Sequence, residues 1–251
     1  MKIQVCSDLH LEFESNRAWL KANPIIPKGE ILIIAGDTYY LDKEYDKLDF
    51  INKVSDEFES VYLIPGNHEY YGGFDVSTAL EPSYKEIKKN VFIVNNQSVE
   101  MNGINFIFST MWSRIQRNVM EVMRGMADFS MIKFEGDQFN VNHHNEIHDV
   151  AFKFISRSIT ASHKNVVVTH HLPSYNCNVD EFSGSILNEA FCVEKTDFIL
   201  QNDIDYWIYG HSHRNLKDFK IGKTKMITNQ FGYVGWGEHR TFNYEKVIEI
   251  K

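Results

Sequence analysis

Five short polar clusters along the chain carry residue types able to bind cations. They are Asp8-Leu9-His10, Gly36-Asp37, Gly66-Asn67-His68-Glu69, Thr169-His170-His171 and Gly210-His211-Ser212-His213. Carboxylate, amide oxygen and imidazole are hard-to-borderline donors suited to Mn, Fe, Zn or Ni. Asp8 and His10 are two apart, and on extended chain such residues share a side, so both can face one cation. Asp37 follows Gly36, where a tight turn can expose a carboxylate able to bridge two ions. Asn67 offers a neutral oxygen after Gly66, and Gly210 lets the backbone pass close to His211 and His213. Each cluster alone is unspecific. Asp-x-His or Gly-Asp is ordinarily a solvated surface or turn feature, and Gly-His-Ser-His can be a plain loop. All five in this order, each after an apolar run, leave the surface reading little room.

Those apolar runs lie at residues 3–6, 31–35, 61–64, 166–168 and 206–209. Continuous Val/Ile runs predict strands buried on both faces. In open α/β sheets, ligands bind at the carboxyl ends of such strands. Apolar steps of three and four predict helices over 45–58 and 147–159, a weaker one over 83–89 and another over 186–200. Strands alternating with helices argue α/β layering. Runs at 219–221, 225–228 and 246–250 predict an antiparallel finish. Residues 110–145 read as a long excursion over the sheet tops rather than a second domain. No repeat or interdomain linker is visible, so one domain over 1–251 is expected.

The five clusters together resemble the calcineurin-like metallophosphoesterase superfamily over nearly the whole chain. Finer matches resemble a small bacterial or phage-type branch: Gly66-Asn67-His68-Glu69-Tyr70-Tyr71, Met111-Trp112, Thr169-His170-His171-Leu172-Pro173-Ser174, residues 188–191 and 229–233. The resemblance implies a four-layer α/β/β/α sandwich of two mixed β-sheets with a two-metal site. It implies Asp8, His10, Asp37 and His213 on one divalent ion, and Asp37, Asn67, His170 and His211 on the other. It implies hydrolysis of a phosphodiester or phosphomonoester, a small molecule or nucleotide, by a hydroxide bridging the ions, with His68 protonating the leaving group. General-acid help of that kind is typically worth about 10²–10⁴-fold. The purple acid phosphatase branch has a Tyr where this chain has Tyr40, but lacks a His at the position of His10. Tyr40 therefore reads as core or pocket wall.

Around these residues, Glu69 is expected to hold the tautomer of His68, and His171 to fix the geometry of the ligands beside it. Trp112, Arg114, Asp128, Tyr175 and Asn188 are candidate substrate contacts, and Tyr70 and Tyr71 further pocket-wall candidates. Phe231, Tyr233 and Trp236 could stack a base, although aromatic clusters are more often core. His143, His144 and His148 read as a solvated helix entry rather than a third metal site, and His163 and His239 as surface residues. No covalent nucleophile is needed.

Composition narrows the classes further. The 251 residues carry 26 Lys and Arg against 34 Asp and Glu, a net charge of -8. That balance argues against duplex DNA, which wants a positive field, and so against a nuclease of the same superfamily. A non-catalytic scaffold on the same fold is a further alternative, but such scaffolds lose site residues, and all seven ligand positions are filled here. Cys6, Cys177 and Cys192 are scattered without CxxC spacing, and Cys6 reads as a buried strand residue. The start lacks an apolar leader and no run is long enough to span a bilayer, so a soluble, cytoplasmic protein with no membrane partner is expected.

Overall fold

A computed structural model describes residues 1–250. Among the described residues, fourteen strands appear in chain order. They are β1 (Lys2–Cys6), β2 (Ile31–Ala35), β3 (Ser60–Ile64), β4 (Ser83–Lys88), β5 (Val91–Asn95), β6 (Gln97–Met101), β7 (Ile104–Phe108), β8 (Lys133–Phe134), β9 (Asp137–Gln138), β10 (Lys164–Val168), β11 (Tyr206–Tyr209), β12 (Phe219–Ile221), β13 (Thr224–Thr228) and β14 (Val247–Glu249). One six-stranded sheet has the order β14-β1-β2-β3-β5-β4, and a second the order β12-β13-β11-β10-β7-β6. β8 and β9 form a separate small hairpin. Each large sheet has four parallel central strands and an antiparallel strand at each edge. The two mixed sheets of the α/β expectation are therefore present.

Alternation within each apolar run explains the layering. Ile3 and Val5, Ile31 and Ile33, Tyr62 and Ile64 face the other sheet, where they meet Phe106, Phe108, Val166, Val168 and Ile208. The intervening Leu32, Ile34, Val61 and Leu63 face outward against Leu20, Ile51 and Val54. Those three belong to α1 (Glu14–Ala22) and α2 (Asp49–Glu57). On the second sheet, Ile107, Val167, Trp207 and Tyr209 face outward against Ile155 and Ile199. A strand covered on both faces needs apolar residues at every position, which is why these runs show no polar alternation.

The remaining helices are α3 (Val119–Gly125), α4 (Asp128–Met131), α5 (Val141–Ser158), α6 (Asn188–Phe191) and α7 (Thr196–Gln201). α5 starts where Asn140 Oδ1 accepts from the backbone N–H groups of Asn142 (2.9 Å) and His143 (3.2 Å), a side-chain cap.

Several expectations are corrected. Residues 83–88 form the edge strand β4, not a helix, because the free edge of β5 offers a ladder and Tyr84 packs on Phe92. The helix expected over 186–200 is split into α6 and α7, since Cys192 leaves helical geometry to bridge Leu172. The tail is antiparallel only in part. β12 and β13 form a hairpin, but β13 runs parallel to β11 and β14 crosses to the first sheet. Residues 110–145 do more than run over the sheet tops, because Trp112, Val122, Phe129, Ile132 and Phe139 are buried in the same apolar cluster as Ile51, Val54, Val61 and Leu63. No described helix is long and apolar enough to cross a membrane.

Candidate metal centre

β1, β2 and β3 run parallel and in register, so the residues that follow them, Asp8, Asp37 and Asn67, leave one edge of the first sheet together. β10 and β11 end in the same way and deliver His170, His211 and His213 from the second sheet. Main-chain bonds tie the loops within each edge: the Asp8 N–H donates to Gly36 O at 2.9 Å, and the Gly210 N–H to His170 O at 3.0 Å. The two edges meet where the Ser7 N–H donates to Asn229 O, after β13, at 3.0 Å.

The chain turns sharply at these points. Asp8, His10, Asp37, His211 and His213 have φ values of 56°, 47°, 54°, 77° and 52°. Left-handed backbone at non-glycine residues costs on the order of 1–3 kcal/mol each and gathers where function requires it. The extended i, i+2 geometry expected for Asp8 and His10 is thus wrong, since both sit in left-handed turns that still bring their side chains together. Gly66, like Gly36, permits a close approach. A Cβ there would overlap the Asp37 carboxylate and lie 2.7 Å from His170 Nε2.

All seven expected donors are brought together. Asp8, His10, Asp37 and His213 each offer an atom within 4.8 Å of the others, and so do Asp37, His170 and His211. Asp37 Oδ2 lies between the two groups, 3.7 Å from His10 Nε2 and 3.3 Å from His170 Nε2. Asp8 Oδ1 lies 3.5 Å from His213 Nε2. Asn67 Oδ1 is 3.2 Å from His170 Nε2.

The hydrogen bonds behind these atoms fix what they present. His10 Nδ1 donates to Glu12 Oε1 at 2.9 Å, and His213 Nδ1 to Glu238 Oε2 at 2.7 Å. A carboxylate only accepts, so in each neutral imidazole Nδ1 carries the proton and Nε2 the lone pair, and the two Nε2 atoms lie 2.9 Å apart. His170 Nδ1 donates to Ala35 O at 2.9 Å, which turns its Nε2 toward His211 Nδ1 at 3.1 Å. The Asn67 amide donates to Asp128 Oδ1 (2.8 Å) and meets the Tyr71 hydroxyl (3.1 Å), leaving its carbonyl oxygen inward. Acceptors therefore converge on acceptors, an arrangement satisfied by cations or by protons standing in for them. The titration of His170 carries the same message. Burial pushes its imidazolium down, yet the Asp37 charge lifts it to about 10. A cation bound there would displace that proton.

His68 sits at the lip. Its Nδ1 lies 2.9 Å from Glu12 Oε1, and its Nε2 lies 3.2 Å from the Tyr233 hydroxyl. Burial opposes its charge, but Asp37 and Glu12 together raise it to about 9.

Other residues land elsewhere than expected. Glu69 does not touch His68. It accepts from the backbone N–H groups of Asp37 (3.0 Å), Thr38 (2.7 Å) and Gly66 (2.7 Å), and so clamps the two loops together. His171 is buried, its ring 4.2 Å from that of His211. Trp112 is fully buried against Tyr70, Phe139, His144 and His171, where no substrate reaches it. Arg114 pairs with Asp149 on α5. Asp128 is buried and holds Asn67 rather than facing outward. Tyr175 and Asn188 line a separate cavity of about 420 Å³ with Arg117 and Glu189, and none of the seven donors borders it. Tyr40 is half-buried and stacks on Tyr39, while Tyr70 is core. Phe231 is core, Trp236 is exposed, and Tyr233 packs on His10 and His213 instead of presenting a free face.

His144 and His148 are buried, not solvated, and burial pushes them down to about 3 and about 4. His143 stacks on Phe134. His239 is buried beside Trp19, whereas His163 meets Glu100 near the surface. The sequence reading missed Glu12 and Glu238. Glu12 had a signal, because Asp8, His10 and Glu12 are spaced by two. Glu238 had none, lying 25 residues from its partner.

A family profile described as calcineurin-like phosphoesterase matches residues 1–215. A protein of Acanthamoeba polyphaga mimivirus, described as uncharacterized, is 27% identical over 286 aligned positions, which cover 99% of this chain and 96% of that protein. The crystal structure of the phosphopantetheinyl hydrolase from Mycobacterium tuberculosis superposes with a TM-score of 0.68 at 14% identity, covering 98% of this chain and 95% of that one. The latter likeness is one of fold.

Proposed function

Because the chain belongs to the calcineurin-like phosphoesterase family, and is on that ground a metal-dependent phosphoric ester hydrolase, we propose that it works with two divalent cations on a small phosphate ester or nucleotide. Asp8, His10, Asp37 and His213 would hold one ion, and Asp37, Asn67, His170 and His211 the other. The observation that carries this reading is the convergence of His10 Nε2 and His213 Nε2, 2.9 Å apart, each imidazole with its Nδ1 on a carboxylate. The shared position of Asp37 Oδ2 supports the pairing of the two groups. When bound, such ions lower the pKa of water, clamp phosphate oxygens and offset the charge of Asp8 and Asp37.

The chain's own residues supply the rest. Ser7 and the His211 N–H fix the Asp8 carboxylate, the latter at 3.0 Å. The His68 N–H donates to Asp37 Oδ1 at 3.0 Å, so the loop carrying the acid is anchored on the shared carboxylate. His68 Nε2, at the lip, would give its proton to the leaving oxygen. Filled donor positions weigh against the scaffold alternative, and the net charge of -8 against duplex DNA as substrate.

The test is turnover of bis-p-nitrophenyl phosphate, p-nitrophenyl phosphate and a nucleotide panel with added Mn or Ni, with chelator and Asp37→Asn as controls. A phosphopantetheinyl ester belongs in that panel, since the structural neighbour is a phosphopantetheinyl hydrolase. Metal-dependent turnover of at least one ester, with two ions per chain by elemental analysis, is expected. One ion per chain at full activity would sink the dinuclear reading.

A further inference from the structure

Glu12 belongs to none of the five clusters, yet one of its oxygens joins two of them. Its side chain is 3% exposed. Oε1 lies 2.9 Å from His10 Nδ1 and 2.9 Å from His68 Nδ1. Oε2 is buried with no hydrogen-bond partner among the described residues. A buried carboxylate is kept only where its partners repay the loss of water, and here both partners are imidazoles of the proposed centre. The rings of His10 and His68 meet edge to face, 4.5 Å between centroids. Tyr71 packs on the other ring at 4.2 Å, so the His68 ring is held from several sides.

A carboxylate accepting from Nδ1 leaves a histidine one orientation and one outward nitrogen. For His10 that nitrogen points at the shared carboxylate of Asp37. For His68 it points toward the Tyr233 hydroxyl at the lip. We propose that Glu12 is a positioning residue that aims Nε2–H of His68 at the leaving oxygen while aiming the Nε2 lone pair of His10 at the cation. This rests on the proposed role of His68 as acid. In the step it serves, the bond from phosphorus to the leaving oxygen breaks as a bond from phosphorus to a water oxygen forms. The Nε2 proton passes to the leaving oxygen, giving the free alcohol. Nδ1–H stays bonded to Glu12, and a proton from the consumed water restores Nε2.

The consequence is a dependence on leaving group rather than a uniform loss. p-Nitrophenolate leaves without a proton, whereas phenolate or an alkoxide needs one. Glu12→Gln keeps the size but removes the charge, so its amide oxygen accepts more weakly from both imidazoles. At saturating metal it is expected to retain two ions per chain and the parental KM, with the affinity for the ion on His10 falling about tenfold. Its kcat on p-nitrophenyl phosphate should fall less than about threefold, and on phenyl or methyl phosphate about 10²-fold or more. Glu12→Asp, which keeps the charge but shortens the reach, should show the same pattern more weakly and covers the case in which Glu12→Gln does not fold. His68→Asn is the parallel control. If His68→Asn shows no leaving-group dependence, the reading of His68 fails. If His68→Asn shows it and neither Glu12 variant does, this inference alone fails. Loss of an ion with equal loss on every ester would reduce Glu12 to a support for His10 and overturn the proposal. So would a third ion per chain that disappears in Glu12→Gln.

Discussion

The two halves of the proposed centre are braced by different chemistry. On one side, His10 and His213 each hand their far nitrogen to a carboxylate, Glu12 and Glu238. On the other, His170 leans on a main-chain carbonyl, Ala35 O, and Asn67 on the buried pair of Asp128 and Tyr71. A carboxylate brace raises imidazole basicity and adds a charge, whereas a carbonyl brace fixes the tautomer without one. The first half therefore depends on side chains that a substitution can remove. The second is written partly into the backbone and can be disturbed mainly through Asn67. Asp37 stands between them and belongs to both.

Removing the shared residue should erase the comparison altogether. Asp37→Asn is expected to lower bound metal in both halves and turnover by at least about 10³-fold, read by elemental analysis and p-nitrophenyl phosphate hydrolysis. Trp112→Ala tests whether residues 110–145 support the second half from behind. It should cost about 3–5 kcal/mol in denaturant unfolding, as large-to-small changes in a packed core do, with KM unchanged. A raised KM at parental stability would instead make Trp112 a substrate contact.

Asp128→Ala should weaken one ion about 10–100-fold and leave the other at parental affinity, measured by competitive chelator titration. Equal weakening of both would dissolve the division into halves. Glu238→Gln is the mirror experiment, with about a tenfold effect confined to the other ion. A finer mark of the carboxylate brace is pH dependence of the metal-free protein. Burial pushes Glu238 up, but its bond to His213 prevails and holds it down at about 2. A carboxyl depressed on folding contributes stability that is present above its unfolded value, near 4.5, and is lost as pH falls toward 2. The difference in melting temperature between parent and Glu238→Gln should shrink across that window. A constant difference would mean that the ion pair contributes nothing.

Much of this was legible before any fold was known. The donors announced themselves through type and position, since a sequence that ends apolar runs in Asp, Asn and His puts polar groups where parallel strands stop. The apolar runs themselves predicted strands covered on both faces, as Ile31–Ala35, buried at every position, proves to be. Legibility failed where a segment's state depended on its neighbour. Residues 83–88 became strand because β5 had a free edge, and Trp112 became core because Phe139 and His144 close over it. It failed again for Glu69, whose adjacency to His68 suggested a contact that the loop geometry sends to three backbone N–H groups instead.

The chain's order of residues determined the donor types, the α/β layering and the family, because those follow from local chemistry and short-range periodicity. Tertiary structure alone decided which acid serves which imidazole. Glu12 reaches His68 across 56 positions and Glu238 reaches His213 across 25, distances over which no local pattern operates; the parallel pairing of β1, β2 and β3 brings the first pair within a hydrogen bond, and the return of the chain after β13 the second.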